Sequence, residues 1–360
     1  MTTMPKVSCK NIWKIFGPNP RSVVNSPAKY ASKGEILART GHVVAVRDIS
    51  FEVQEGETFV VMGLSGSGKS TLLRCLPRLI EPSYGQVLID GEDVATIDQH
   101  RLREIRRHKM SMVFQHFGLF PHRTILDNVA YGLEIQGMKK GERYARADEV
   151  LKLVNLKGWE NHYPGQLSGG MQQRVGLARA LAVNPEILLF DEPFSALDPL
   201  IRREMQDELI MLQEKMHKTL IFITHDFAEA LKLGDRIAIM KDGEFVQVGT
   251  PQQVVLYPAD DYVREFTKDV PRSKVLTAQN IMTPAPVGPS PIAPVPATTL
   301  LEDLIPLVAA TDSPLPIMNS ANRIIGSVDR TAVLMAISGL ALTGQSLAPA
   351  QLATRKGGPG

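Results

Sequence analysis

Residues 63–71 read GLSGSGKST and directly follow an apolar run at 59–62. Glycines at 63, 66 and 68 permit backbone angles that turn successive N–H groups toward a single point. A helix starting just beyond them would aim its positive end at the same place. The spacing G-x-x-x-x-G-K-[ST] is met by Gly63, Gly68, Lys69 and Ser70, and the chemistry it serves is the holding of a nucleotide's phosphates. On this reading Gly63, Leu64, Ser65, Gly66, Ser67 and Gly68 form the cradle. Lys69 reaches the β- and γ-phosphates, Ser70 places its hydroxyl on Mg²⁺, and Thr71 touches the α-phosphate.

A phosphate loop serves kinases, GTPases and motors alike, so other residues must discriminate. In ILLFDEP, Asp191 and Glu192 end a four-residue apolar run. Two acids at the end of a buried strand are costly unless something cationic sits there. Asp191 would hold Mg²⁺ through water, and Glu192 would polarise an attacking water. In LSGGMQQRVGLARAL, Ser168, Gly169 and Gly170 form a second phosphate-sized nest at a helix start. One nucleotide has no obvious use for two nests on one chain. The economical reading is that this one caps the γ-phosphate held by a second copy.

These residues need strands to carry them and helices to follow. Strand-like runs occur at 58–62, 86–89, 111–114, 187–190, 219–224 and 236–240, alternating with helix-like stretches, which predicts an α/β fold over residues 1–270. Residues 18–43 interrupt the first apolar segments and predict a surface insertion with one short helix. Residues 115–180 predict a helical subdomain. A proline-rich linker or loop is expected within 271–299, because PAPVGPSPIAPVP cannot be helix. Helix- and strand-like segments resume to about residue 345, and 346–360 predict a disordered tail.

At 360 residues the chain exceeds one ordinary domain, and a net charge of +2 implies no general affinity for nucleic acid. Two cysteines, Cys9 and Cys75, are too few for a disulfide framework and suit a reducing cytoplasm. The N-terminus lacks a signal-like apolar core, and no apolar run approaches bilayer length. Any work at a membrane would then go through a partner.

The motifs together resemble the ATP-binding-cassette ATPases. Beyond the phosphate loop and the acidic strand there are LSGGM at 167–171, Gln115 in MVFQHFGLFP, SALD at 195–198 and His225 in IFITHD, in the family's order across residues 7–266. The resemblance implies a P-loop NTPase cassette with a mixed sheet core and a helical subdomain, and ATP and Mg²⁺ as ligands. It makes Gln115 the loop glutamine that senses Mg²⁺ and the membrane partner. Asp198 would link the two sites across a dimer, His225 would contact the γ-phosphate, and Phe16 would stack on adenine. Metal ligands would be Ser70, Gln115 and Asp191, and the catalytic set Glu192, His225 and Lys69. The stretch 115–137, with Phe117, Leu119 and Phe120, could receive a helix of a membrane protein, although core packing explains part of it.

Within the family, SKGEILARTG before AVRDISFEV, MGLSGSGKSTLLRCLPRLIEP and FSALDPLIRREMQDELIMLQ resemble ATPase subunits of glycine betaine/L-proline importers. That implies a second copy of the chain, a transmembrane permease and a substrate-binding protein as partners, with the chain peripheral at the cytoplasmic face of a bacterial inner membrane. Choline, carnitine and histidine stay open as solutes. Residues from about 276 resemble a single cystathionine-β-synthase-type (CBS) α+β module, for which sensing and docking are both open. Repair-type relatives need a long coiled coil, and no heptad run lies between residues 71 and 167. A P-loop kinase would leave LSGGM and SALD unexplained.

Overall fold

In the computed structural model, which describes residues 4–115, 118–284 and 292–338, the strand-like runs line up side by side. The order across a six-stranded sheet is Glu244–Gly249, Arg236–Lys241, Thr58–Met62, Thr219–Thr224, Ile187–Asp191 and Met110–Val113. All neighbours are parallel except the first pair. Every residue of Thr58–Met62, Ile187–Asp191 and Thr219–Thr224 is buried. Their unbroken apolar sequences are what a parallel sheet covered on both faces requires. Register then places the functional loops. Met62 lies opposite Thr224, and Ile223 opposite Asp191. Gly63, Glu192 and His225 therefore leave neighbouring strands at one edge, the carboxyl edge where open α/β sheets bind ligands.

A second, antiparallel sheet orders Val43–Val53, Val7–Phe16, Tyr84–Ile89 and Glu92–Asp93. Phe51 of this sheet stacks on Phe59 of the first, with ring centroids 5.0 Å apart. Leu72, Leu73 and Leu76 join the same core. This anchors the segment that follows the phosphate loop. Cys9 and Cys75 are both buried and free.

The insertion at 18–43 holds more structure than one short helix. It contains Arg21–Val24, a 3₁₀ turn at Pro27–Tyr30 and the helix Lys33–Thr40. Val23, Val24 and Ile36 form a small core with Trp13, Ile15 and Val44 of the flanking strands. Burying that apolar surface ties the insertion to the antiparallel sheet.

Helices Ile125–Ile135, Lys140–Leu153 and Gly169–Ala182 pack on one another. Thr124 caps the first by accepting the Asp127 N–H at 3.1 Å, and Ser168 caps the third by accepting the Met171 N–H at 3.4 Å. Phe120 packs edge-on against Tyr131 at 4.6 Å, and Leu119 is half-buried. Phe117 lies outside the described residues. No helix among the described residues is long and apolar enough to cross a membrane.

The first compact unit ends at Lys268 and a second begins at Asp269. In the second, Val295–Pro296 runs parallel to Leu315–Met318, which pairs antiparallel with Ile324–Val328. Helices Leu301–Ala309 and Arg330–Ser338 accompany this sheet, and Leu276, Leu301, Leu304, Ile317 and Val328 are buried. Within 271–299, expected as a proline-rich linker or loop, the described residues include Arg272–Lys274, Ala278–Ile281 and the edge strand Val295–Pro296. Pro296 is tolerated there because an edge strand can lack one donor. Residues 285–291 and the tail at 346–360 lie outside the described residues.

Candidate functional site

The phosphate loop begins where Thr58–Met62 ends and closes at Gly68, the N-cap of the helix Lys69–Cys75. Gly68 sits at φ +110°, and a Cβ there would run into the carbonyl of Ala45, so no other residue fits. Lys69 is buried at 4% exposure. Its ammonium donates to the carbonyls of Gly63 at 2.8 Å and Leu64 at 3.1 Å, and pairs with Glu192 at 3.5 Å. Burial pulls the Lys69 pKa below the ordinary lysine value, and the Glu192 carboxylate opposes that drop. A cation held by carbonyls and one acid is well placed to exchange those contacts for phosphate oxygens.

Glu192 takes φ +46°, a left-handed conformation that costs a non-glycine residue roughly 1–2 kcal/mol. That backbone turns the carboxylate between two partners. One oxygen faces Lys69, and the other accepts a hydrogen bond from His225 Nδ1 at 2.8 Å. Because a carboxylate only accepts, Nδ1 carries a proton in this contact, and Nε2 is left for a second partner. Asp191, 3% exposed, is paired with Arg74 at 3.1 Å. Arg74, one turn past the phosphate loop, is a partner that motif spacing does not reveal.

A cavity of about 590 Å³ runs along the loop and is lined by Ser65, Gly66, Gly68, Lys69, Ser70, Thr71, Gln115 and Glu192. Of the three expected Mg²⁺ ligands, Ser70 and Gln115 line this cavity with oxygen donors of the type Mg²⁺ takes, whereas Asp191 does not line it and is paired with Arg74. The cavity is also lined by Lys33, Gly34, Leu37, Val43, Val44, Ala45 and Asp242. Sequence reasoning missed these residues. The capping pair Ser32 and Glu35 in SKGE was a legible sign that an ordered helix starts at Lys33.

Phe16, Gly63, Leu64, Ser67 and Asp191 are not part of this lining, and His225 lines a small separate pocket with Glu192. Ser168, Gly169 and Gly170 do not line this cavity, and neither does Asp198. These four instead lie near one another on two helix starts. A Cβ on Gly170 would meet the Ile201 side chain at 2.6 Å, and Asp198 is the N-cap of Pro199–Met216. Arg174 donates to Glu208 at 2.8 Å and fastens the two helices together. Phe16 is half exposed at the end of its strand, with the Lys14 ammonium 4.8 Å from its ring centroid.

The ABC transporter family model matches residues 46–195. The chain is 56% identical over 299 residues to the glycine betaine transport ATP-binding protein OpuAA of Bacillus subtilis, covering 83% of this chain and 72% of that one. It is 56% identical over 283 residues to the glycine betaine/proline betaine transport system ATP-binding protein ProV of Salmonella typhimurium, covering 79% and 71%. It is also 47% identical over 334 residues to the trimethylamine N-oxide transport system ATP-binding protein TmoW of Pelagibacter ubique, covering 92% and 96%. Among solved structures it is similar to the ATP-binding cassette MJ0796, a dimer in a post-hydrolysis state bound to ADP and Pi. That match has 37% identity and a TM-score of 0.58, covering 68% of this chain and 98% of that one. With a phosphate loop, an acid–histidine pair and relatives of this closeness, the chain belongs to the ATP-binding proteins of the ABC transporter family and is an ATPase.

Proposed function

We propose that the chain powers uptake of glycine betaine or a closely related methylated amine, working as two copies beneath a transmembrane permease at the cytoplasmic face of a bacterial inner membrane. The carrying observation is Glu192, held between the Lys69 ammonium and His225 at the mouth of the phosphate loop. On this reading Lys69 and the loop N–H groups hold the β- and γ-phosphates. Glu192 takes a proton from water as its oxygen attacks the γ-phosphorus, and the bond to ADP breaks to release phosphate. His225, oriented by Glu192, meets the γ-phosphate through Nε2. Ser70, Gln115 and Asp191 would hold Mg²⁺, which when bound would offset charge on the phosphate oxygens.

The separation of Ser168–Gly169–Gly170 from the cavity fits a site completed by a second copy. There the partner's nest would cap the γ-phosphate, and Asp198 would couple the two sites. Phe16, beside the cavity, serves as a platform for adenine. Closure would exclude water and strengthen every contact to the phosphates, and hydrolysis would release the bridge. The segment 115–137 would receive the permease, and a substrate-binding protein would deliver solute from the other side.

Glycine betaine relatives are the more identical, which favours betaine. The trimethylamine N-oxide relative matches over more of its length, 96% against 72%, and supports a second reading with that solute. Both solutes carry a crowded methylated nitrogen, and neither would touch this subunit. The C-terminal unit is read as a single CBS-like module that either senses a signal or docks. A strain lacking the gene, assayed with radiolabelled glycine betaine, proline betaine and trimethylamine N-oxide, should lose uptake of at least one. Unchanged uptake of all three would refute the proposal.

A further inference from the structure

We propose that the inserted helix Lys33–Thr40 is a wall of the nucleotide site. In it, Lys33 places a cation beside the phosphate chain, and Leu37 with Val43 offers an apolar surface to the purine–ribose end. The inference rests on the phosphate-loop cavity being where the nucleotide binds.

Lys33, Gly34 and Leu37 line the same cavity as Lys69 and Thr71. The helix is divided by face. Ile36 is fully buried in the small core under the insertion, whereas Leu37 is 50% exposed and Val43 51% exposed. Two bare aliphatic side chains beside a polar phosphate cradle suit a ligand that is charged at one end and flat and apolar at the other. Val43 is also the cross-strand partner of Phe16, so the apolar surface continues toward that ring. Nothing lies within 4 Å of where a Cβ on Gly34 would stand, which leaves room for a ligand on this side of the helix.

Lys33 stands at the phosphate-loop end. A methyl group on Gly243 would meet its ammonium at 3.2 Å, and the Gly243 N–H donates to the Ser67 carbonyl at 2.9 Å. Lys33 makes no ion pair among the described residues. Asp242 lines the cavity too, and its charge would oppose a triphosphate unless a cation offsets it. Glu244, the other acid near Lys33, is engaged by Arg47 at 2.7 Å. Burial lowers the Lys33 pKa from its ordinary value, with Asp242 and Glu244 opposing and Arg47 adding to the drop. A half-buried cation in that setting gains by meeting an anion.

The wall is tied down by its own hydrogen bonds. The Ser32 backbone N–H donates to Glu35 at 2.8 Å, while the Ser32 hydroxyl accepts the Glu35 N–H at 3.3 Å. Arg47 donates to the carbonyls of Ala31, at 2.9 Å, and Lys29. Ordering costs on binding are correspondingly small.

The test is titration of the full-length chain with the fluorescent analogue mant-ATP in Mg²⁺, comparing wild type, Lys33→Gln, Lys33→Arg, Leu37→Gln and Lys69→Ala. The substituted side chains of the insertion face the cavity, so unfolding temperatures should match the wild type and serve as the folding control. Leu37→Gln should weaken binding about 3- to 10-fold. Lys33→Gln should weaken it about 3- to 5-fold and flatten its salt dependence, with Lys33→Arg restoring both. Wild-type affinity in Lys33→Gln and Leu37→Gln, with binding lost in Lys69→Ala, overturns the inference and leaves the phosphate-loop site standing. Wild-type affinity in Lys69→Ala overturns both.

Discussion

Glu192 holds a strained backbone angle, an ion pair and a hydrogen bond at once. A residue kept in the left-handed region by its surroundings is a functional candidate in its own right, because simple relaxation would lower its energy. If Glu192 is the base, Glu192→Gln keeps the shape but turns one acceptor oxygen into an NH₂ donor and removes the proton acceptor. Steady-state hydrolysis should fall roughly 10²-fold or more, while nucleotide affinity stays near wild type. Phosphate-release kinetics beside a binding titration check this, and a parallel loss of affinity would point to a binding role instead. At this scale much of the site could be read from spacing. Lys69, Glu192 and His225 are each tied to the end of an apolar run, and the sheet register brings those ends together. Arg74 could not be read, since its partner Asp191 lies 117 residues away and only the fold brings them into contact.

The strands were legible as elements because a parallel strand buried on both faces leaves an unbroken apolar run. The insertion was legible with one short helix, but its further turns and small core were not. Its small core is half made of Trp13, Ile15 and Val44, which local pattern assigns to neighbouring strands. In the proline-rich stretch, proline forbids helix but tolerates the edge strand at Val295–Pro296, which the pattern did not single out. Among helices, the link between Gly169–Ala182 and Pro199–Met216 is the most consequential. Arg174 donates to Glu208 and to the Val154 carbonyl, and Asn155 also donates to Glu208. Burial raises the Glu208 pKa, with Arg174 and Asn155 opposing. Removing the arginine would strand a buried carboxylate, so Arg174→Ala should destabilise the fold by about 3 kcal/mol. Urea unfolding would read this as a lower midpoint at unchanged slope. Arg174→Met should also destabilise, since it leaves the same buried carboxylate without its cation.

Each of the two units has its own buried core, and every candidate catalytic residue lies before Lys268. A chain ending at Lys268 should therefore fold and hydrolyse ATP much as the full chain does. Loss of hydrolysis in the shortened chain would show that the second unit completes the site. At the scale of the assembly, the nest at Ser168–Gly169–Gly170 lies outside the phosphate-loop cavity of its own chain. On the proposed function, a second copy completes the site, bridged by ATP and released by hydrolysis. The most direct measurement is the molar mass of Glu192→Gln by light scattering in saturating Mg²⁺–ATP and, separately, in ADP. The account predicts about twice the 39.6 kDa chain mass in ATP and the single-chain mass in ADP. A single-chain mass in both would contradict it.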